Sequence, residues 1–384
     1  MEKVINTEKI PIKLWLDDID EEPLKQAKNL ANLPNAFKWV AIMPDCHKGF
    51  GMPIGGVLAT INAVIPNAVG VDIGCGMCAV KTSLQSVDHK SLKSMADKIR
   101  QRIPLGHKKH KNRQQWDGLD DAPAVDVIRS ELNNAAYQLG TLGGGNHFIE
   151  IQKGTDGYIW IMLHSGSRNF GYQVARSFHK KAQQFCARHN LALPDKNLAY
   201  FPLETPEAQA YLEAMNFALE FAKANRFAMM DVIKQMVQKT VGSVNFGEII
   251  NIHHNYAAEE HHYGRDVVVH RKGATSAKAG QIGIIPGSQG TPSYIVSGKG
   301  NPESFMSCSH GAGRKMGRKQ AIRTLNMEME KKQLDEAGII HTVRKQKDLD
   351  EAAGAYKDID VVMKNQEDLV EIKTKLLPLA VIKA

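Results

Sequence analysis

The sequence predicts an α+β fold: a β-rich core, flanking helices, and glycine-rich turns at the strand ends. Three observations carry that expectation. Short apolar, β-branched runs recur at 37–43, 56–65 and 77–84, and again after 245 in EIINIHHN, DVVVH, QIGIIPGS and SYIVSG, which is the pattern of strands. Helical periodicity marks only a few segments. Polar, reactive residues crowd into glycine-rich turns directly after the apolar runs, where a rigid scaffold presents a site.

Along the chain, 20–32 and 86–102 read as helices among the first strands. The stretch GHKKHKNRQQWDGLDD (107–122) is basic and then acidic, an exposed loop that is either a solvated face or an RNA contact. Val174, Phe178, Ala182 and Phe185 form one helical stripe, and Tyr211, Met215, Ala218, Ala222, Met229 and Val232 another; both suit core-forming helices rather than cofactor boxes. No low-complexity linker, repeat or Pro/Ser-rich hinge divides the 384 residues, so a single domain over 1–384 is expected.

No apolar run approaches the roughly 18 residues that a membrane helix needs, and the N-terminus lacks the apolar stretch of a secretory signal. Cys46, Cys75, Cys78, Cys186 and Cys308 are odd in number and scattered, unlike a disulfide framework. A cytoplasmic protein with reduced thiols is expected. The net charge of +8 favours contact with a polyanion but is modest for this length.

Five turns concentrate the chemistry: MPDCHKGFGMPIGG (43–56), VGVDIGCGMC (69–78), GTLGGGNHFIE (140–150), IMLHSGSRNFG (161–171) and SCSHGAGRKMGR (307–318). Asp72 and Cys75 lie three apart across a turn, so a carboxylate and a thiolate can converge on one ion. His147, His164 and His254 sit at or just beyond the ends of apolar runs. Any one of these histidines is more simply a satisfied buried side chain; together with Asp72 and Cys75 they make an O, S, N donor set suited to a borderline transition metal. Cys75 and Cys78 also match C-x-x-C, but no second such pair closes a zinc site and a strand, not a helix, follows.

There is no G-x-x-x-x-G-K-[ST] loop, GTLGGGNH is too loose a match to a dinucleotide fingerprint, and K-x-D-G is absent, so a covalent nucleotidyl intermediate needs a nucleophile other than lysine. His310 is the best candidate, because a neutral imidazole attacks phosphoryl groups when its other nitrogen is held and cations are near. Arg314 and Arg318 follow at intervals of four; a helix starting at the glycines would put both on one face. The alternative is a capping turn with surface arginines.

Taken together, PIKLW, PDCHKG, VGVDIGCG, GTLGGGNHFIE, HSGSR, HHN, RKGA, PGSQG, SHGAGR, AYKD and the terminal VIK resemble, in order, the RtcB family of GTP-dependent RNA ligases over nearly the whole chain. The resemblance implies an RtcB-type domain that joins RNA 2′,3′-cyclic-phosphate or 3′-phosphate ends to 5′-hydroxyl ends, with GTP and manganese. It implies guanylylation of His310, oriented by Asp45, then transfer of GMP to the RNA 3′-phosphate, then attack by the 5′-hydroxyl. One Mn2+ would be held by Cys75, His164 and His254 and the other by Asp72, Cys75 and His147, with Cys75 bridging.

By the same matching, GTP would be contacted by Asn146, Phe148, Glu150, Ser288, Ser293, Gly311, Ala312, Gly313, Tyr356 and Lys383, and phosphate or RNA by Arg168, Arg314, Arg318 and Asn255. Gln289 departs from the methionine common in the family's PGSQG turn. In HHN, His254 matches the ligand because it precedes the asparagine, which leaves His253 structural. A monomer is expected, and whether an activating protein such as archease takes part stays open. Two other classes remain: a metal-dependent phosphodiesterase that hydrolyses RNA ends without GTP, and a non-catalytic RNA-binding protein with a structural metal.

Overall fold

The computed structural model describes residues 1–384. Its strands form two main sheets. The first runs in the order Lys3–Ile5, Ile12–Leu14, Ala36–Phe50, Met52–Thr60, Arg265–Lys272, Asn255–His262. The second runs Phe246–His253, Gly76–Thr82, Ile159–Ser165, Phe148–Gly154, Val370–Ile382, Ser293–Gly298, Ile282–Ile285, antiparallel throughout. The C-terminal strand Val370–Ile382 thus lies inside the second sheet, between Phe148–Gly154 and Ser293–Gly298. The chain steps from the second sheet to the first at a single residue, His254.

Every side chain of Ile159–Ser165 is buried, which requires cover on both faces. Strand alternation divides it: Ile161 and Leu163 pack with Ile99, Met229 and Ile233 from helices, whereas Trp160 and Met162 meet Ile284, Ile295 and Leu376. The helix Pro206–Val241 starts cleanly because Thr205 Oγ1 accepts the Ala208 N–H at 3.2 Å and Pro206 occupies the first turn. Its first half, with Tyr211, Met215 and Ala218, packs on the Val174, Phe178, Ala182 and Phe185 stripe of Arg168–Arg188. Its second half, with Met229 and Ile233, covers the sheet. Both predicted stripes therefore build core. No helix is long and apolar enough to cross a membrane.

Three readings need correction. The segment 43–56 is not a turn but most of a long hairpin, Ala36–Phe50 and Met52–Thr60, reversing at Gly51 with φ +76°. Its ladder slips between Ile42 and His47 and again before Phe50; such bulges re-aim side chains and hide the strand's alternation. No helix begins at the glycines after His310, for that helix starts only at Arg318. Gly313, at φ +74°, lies so close to Asp45 that a Cβ there would stand 2.2 Å from the Asp45 carbonyl oxygen, so that segment is moulded to the hairpin and not to helical geometry. Finally, Asp126–Gln138 forms a helix that the sequence reading did not expect.

Candidate active site

Four neighbouring strand ends bring the candidate metal ligands together. Gly76 pairs with His253 and Ser165, and His164 pairs with Met77 and Phe148. Cys75, His147 and His254, each one residue beyond a strand, therefore gather at one edge with His164. Cys75 Sγ lies 3.2 Å from His164 Nε2 and 3.4 Å from His147 Nε2. His254 Nε2 extends the row, 3.3 Å from His164 Nε2, and Asp72 Oδ2 closes its other end, 3.2 Å from His147 Nε2. Donors about 2.0–2.3 Å from one ion stand about 3–3.8 Å apart, so these spacings suit metal ligation.

The rings are set for it. His147 Nδ1 lies 2.9 Å from the Leu142 carbonyl and His164 Nδ1 3.2 Å from that of Asn146. A protonated Nδ1 donates there, which leaves each Nε2 lone pair facing Cys75. Burial pushes the His164 and His254 pKa values well below the ordinary range, so both are neutral, as ligands must be. Asp72 Oδ1 is shielded from solvent and has no hydrogen-bond partner. An unpartnered carboxylate oxygen beside a thiol and imidazoles fits a cation ligand. Burial opposes charge on Asp72, but His147 and Arg168 outweigh it and hold the carboxyl below its usual range.

The second cluster joins the row through His254, whose ring centroid is 4.8 Å from that of His310. His310 Nδ1 lies 2.6 Å from Asp45 Oδ2, which also accepts the backbone N–H groups of His310 and Gly311 at 3.0 and 3.3 Å. Asp45 is wholly buried. Burial would raise its pKa, but His310, His47 and Lys357 together hold it down. An ionised Asp45 orients the imidazole and leaves Nε2 as the reactive nitrogen.

His310 opens onto a polar cleft. Asn146, Phe148, Glu150, Ser288, Gly311 to Gly313, Arg314, Arg318, Tyr356 and Lys383 all line it. Ser293 instead lies behind the wall, its hydroxyl meeting Gln152 Nε2 and the Gly287 N–H, each at 3.2 Å. Arg168 stands on the metal side, held by Thr141 Oγ1 and the Gly106 carbonyl at 3.1 Å. Asn255 clamps backbone, donating to the Asp72 carbonyl at 3.0 Å and accepting from Gly273 N–H at 2.8 Å.

Sequence reasoning missed Glu351. It is 1% exposed, and its carboxylate takes Arg314 Nη1 at 2.7 Å, Arg318 Nε at 2.6 Å and the Tyr356 hydroxyl. The two arginines share a side through this acid, not through a helix. Gln289 donates to the Glu351 carbonyl at 3.0 Å, so the unusual residue of PGSQG supports the clamp. Arg226 was missed as well. Fully buried, it donates to the carbonyls of Gly74 and Ser165 at 2.8 and 2.9 Å, to Asn251 Oδ1 at 2.7 Å, and to His253 Nδ1 at 3.0 Å. It pins the Cys75 turn to the strand carrying His164 and gives His253 its structural role. Arg226→Met leaves these acceptors unsatisfied, each costing about 1–3 kcal/mol; urea unfolding is expected to show a loss of at least about 3 kcal/mol.

The family model described as tRNA-splicing ligase RtcB matches residues 26–125 and 114–384. This chain belongs to the RtcB family. The RNA-splicing ligase RtcB of Escherichia coli strain K12 is 41% identical over 96% of each chain. The tRNA-splicing ligase RtcB of Thermococcus kodakarensis is 30% identical over 98% of this chain and 95% of its own. RtcB of Mycobacterium tuberculosis is 30% identical over 93% of this chain and all of its own. The RtcB family is one of RNA ligases that use a metal and GTP, so the chain is an enzyme, and Cys75, His147 and His164 form a group able to hold a metal ion.

Proposed function

We propose that this protein is a GTP-dependent RNA ligase, a single catalytic unit over 1–384. It joins RNA 2′,3′-cyclic-phosphate or 3′-phosphate ends to 5′-hydroxyl ends in tRNA splicing or RNA repair, as a cytoplasmic monomer. The observation that carries this reading is the Asp45–His310 pair, set between the row of candidate metal ligands and the polar cleft. His310 Nε2 attacks the α-phosphorus of GTP, forming an N–P bond as pyrophosphate leaves, and Asp45 stabilises the cationic imidazole. GMP then passes to the RNA 3′-phosphate, giving RNA-(3′)pp(5′)G, and the 5′-hydroxyl of the second strand displaces it. Arg314 and Arg318 hold phosphate oxygens. Two Mn2+ ions, one at Cys75, His164 and His254 and one at Asp72, Cys75 and His147, would supply Lewis-acid stabilisation of phosphoryl charge.

The test is incubation of purified protein with Mn2+, GTP and RNA bearing 3′-phosphate and 5′-hydroxyl ends. Sealing and a protein–GMP adduct are expected. Hydrolysed ends with no sealing and no use of GTP would instead make the protein a phosphodiesterase.

Glu150 supplies a pH prediction. Burial pushes its carboxyl up to about 8, against the pull of Gln152 and Lys383. The native protein therefore keeps a proton that the unfolded chain releases near pH 4.5, and this group's contribution to stability falls as pH rises from about 4.5 to about 8. A guanine edge presents N–H donors, which need the ionised carboxylate. GTP binding at pH 7 is expected to release up to about one proton and to tighten as pH approaches 8. Calorimetry in buffers of different ionisation heat measures this, and Glu150→Gln is expected to abolish the release.

A further inference from the structure

The basic half of the 107–122 stretch has no part in the chemistry above, yet it is built against the catalytic residues. Gly106, at its base, donates its N–H to the Gly143 carbonyl at 2.8 Å and accepts from Arg168 Nη2 at 3.1 Å. Gly143 begins the turn that carries His147, and Arg168 is one of the cations that lower the Asp72 pKa. The segment is rigidly mounted: His110 N–H bonds to the Tyr137 carbonyl and Gln114 N–H to that of Ala136, each at 2.9 Å. Trp116 then anchors it in the core against Phe217 and Phe221, and Asp117, Asp120 and Asp121 follow only beyond that anchor.

Along this ridge Lys108, Lys109, Lys111 and Arg113 are all exposed, and no carboxylate lies within 4.0 Å of their charged groups; Lys109 Nζ meets Asn134 Oδ1 at 3.4 Å and lies 5.5 Å from the centre of the Tyr137 ring. Like charges packed along a tethered loop repel one another, and a polyanion relieves that repulsion. The row starts two residues beyond Gly106, which touches both Arg168 and the His147 turn, so a phosphodiester backbone lying on it leads toward the row of candidate metal ligands.

We propose that the ridge Lys108–Arg113 is a docking surface for the RNA backbone, which positions the strand end at Arg168 and the Asp72–His254 ligand row. The proposal rests on the ligase reading for its substrate class. The contacts are to phosphate, so they fix position without reading sequence. An acidic protein partner is the competing occupant.

The test uses the full chain with Lys108, Lys109, Lys111 and Arg113 all changed to alanine, none of which belongs to the catalytic or nucleotide-binding machinery. Binding of a labelled oligoribonucleotide is read by fluorescence anisotropy over a range of salt, and adduct formation with GTP and Mn2+ is read separately. RNA affinity is expected to fall at least about tenfold at moderate salt, and the slope of log K against log salt to flatten by up to about 3, at about 0.7 per phosphate contact. Adduct formation is expected to be unchanged. Lys180→Ala with Lys181→Ala, about 18 Å along its helix from Arg168, is the charge control and is expected to alter binding less than Lys108→Ala with Lys109→Ala. Unchanged RNA affinity and slope in the quadruple variant, or an equal loss in the control, overturns the proposal in favour of a solvated face or a protein-binding one. Absence of the adduct in the unaltered protein would defeat the ligase reading instead, and the anisotropy result would still decide the ridge.

Discussion

Replacing His310 with alanine is expected to abolish the protein–GMP adduct outright and to lower strand joining by at least about 10³-fold, the scale of losing a covalent nucleophile. The adduct is read by transfer of label from GTP to protein, acid-labile and alkali-stable as a phosphoramidate is. The substitution removes only a 15% exposed side chain from the end of a short strand, so the fold is expected to survive and RNA to bind as before. Asp45→Asn separates orientation from nucleophilicity. It keeps an acceptor near Nδ1 and the backbone N–H groups but removes the buried charge that stabilises the imidazolium, and should cost about 10²–10⁴-fold while leaving a trace of adduct. Adduct persisting at wild-type level in His310→Ala would transfer the nucleophile's role to another residue.

Cys75→Ala is expected to have the second largest effect. Cys75 is the middle donor of the row, with His147 and Asp72 on one side and His164 and His254 on the other. Its loss should weaken both halves together, lowering Mn2+ affinity at least about 10²-fold and eliminating the rise in Tm that the metal gives the parent protein. Asp72→Ala removes a donor from one end only and is expected to retain about one equivalent of metal. Titration followed by the paramagnetic signal of free Mn2+ counts equivalents in each variant. Two tight equivalents in Cys75→Ala would show that the thiolate is not shared. Burial and the neighbouring Asp72 raise the Cys75 thiol well above its ordinary pKa.

The reactive residues were legible because they stand in glycine-rich turns beside apolar runs, and VGVDIGCG carries its meaning in a span of eight letters. Their grouping was not legible from spacing. Cys75 and His254 meet because His253 pairs with Gly76 across two strands, a long-range register that local pattern does not encode. Asp45 was read as part of a turn because the bulged ladder of its hairpin mixes glycine and polar residues into a strand. Arg314 and Arg318 suggested one helix by their interval of four, whereas Glu351 draws them together from a distant acidic run that reads as surface. The helix Asp126–Gln138 escaped notice because it buries only Ile128, Ala135 and Ala136, too thin a stripe to stand out. Ser293 shows a further limit, since a matched motif position can sit behind a pocket and shape it without facing the ligand.

The placement of the final strand has a consequence for how the protein is made. Val370–Ile382 fills a gap between two strands synthesised long before it, and Lys383, which donates to the carbonyls of Gly145 and His147 at 3.0 and 3.2 Å, arrives with it. Until Val370–Ile382 docks, Phe148–Gly154 and Ser293–Gly298 each keep an open hydrogen-bonding edge, and such edges invite wrong partners. Loss of Val370–Ile382 should therefore yield an aggregation-prone chain rather than a folded enzyme of lowered activity.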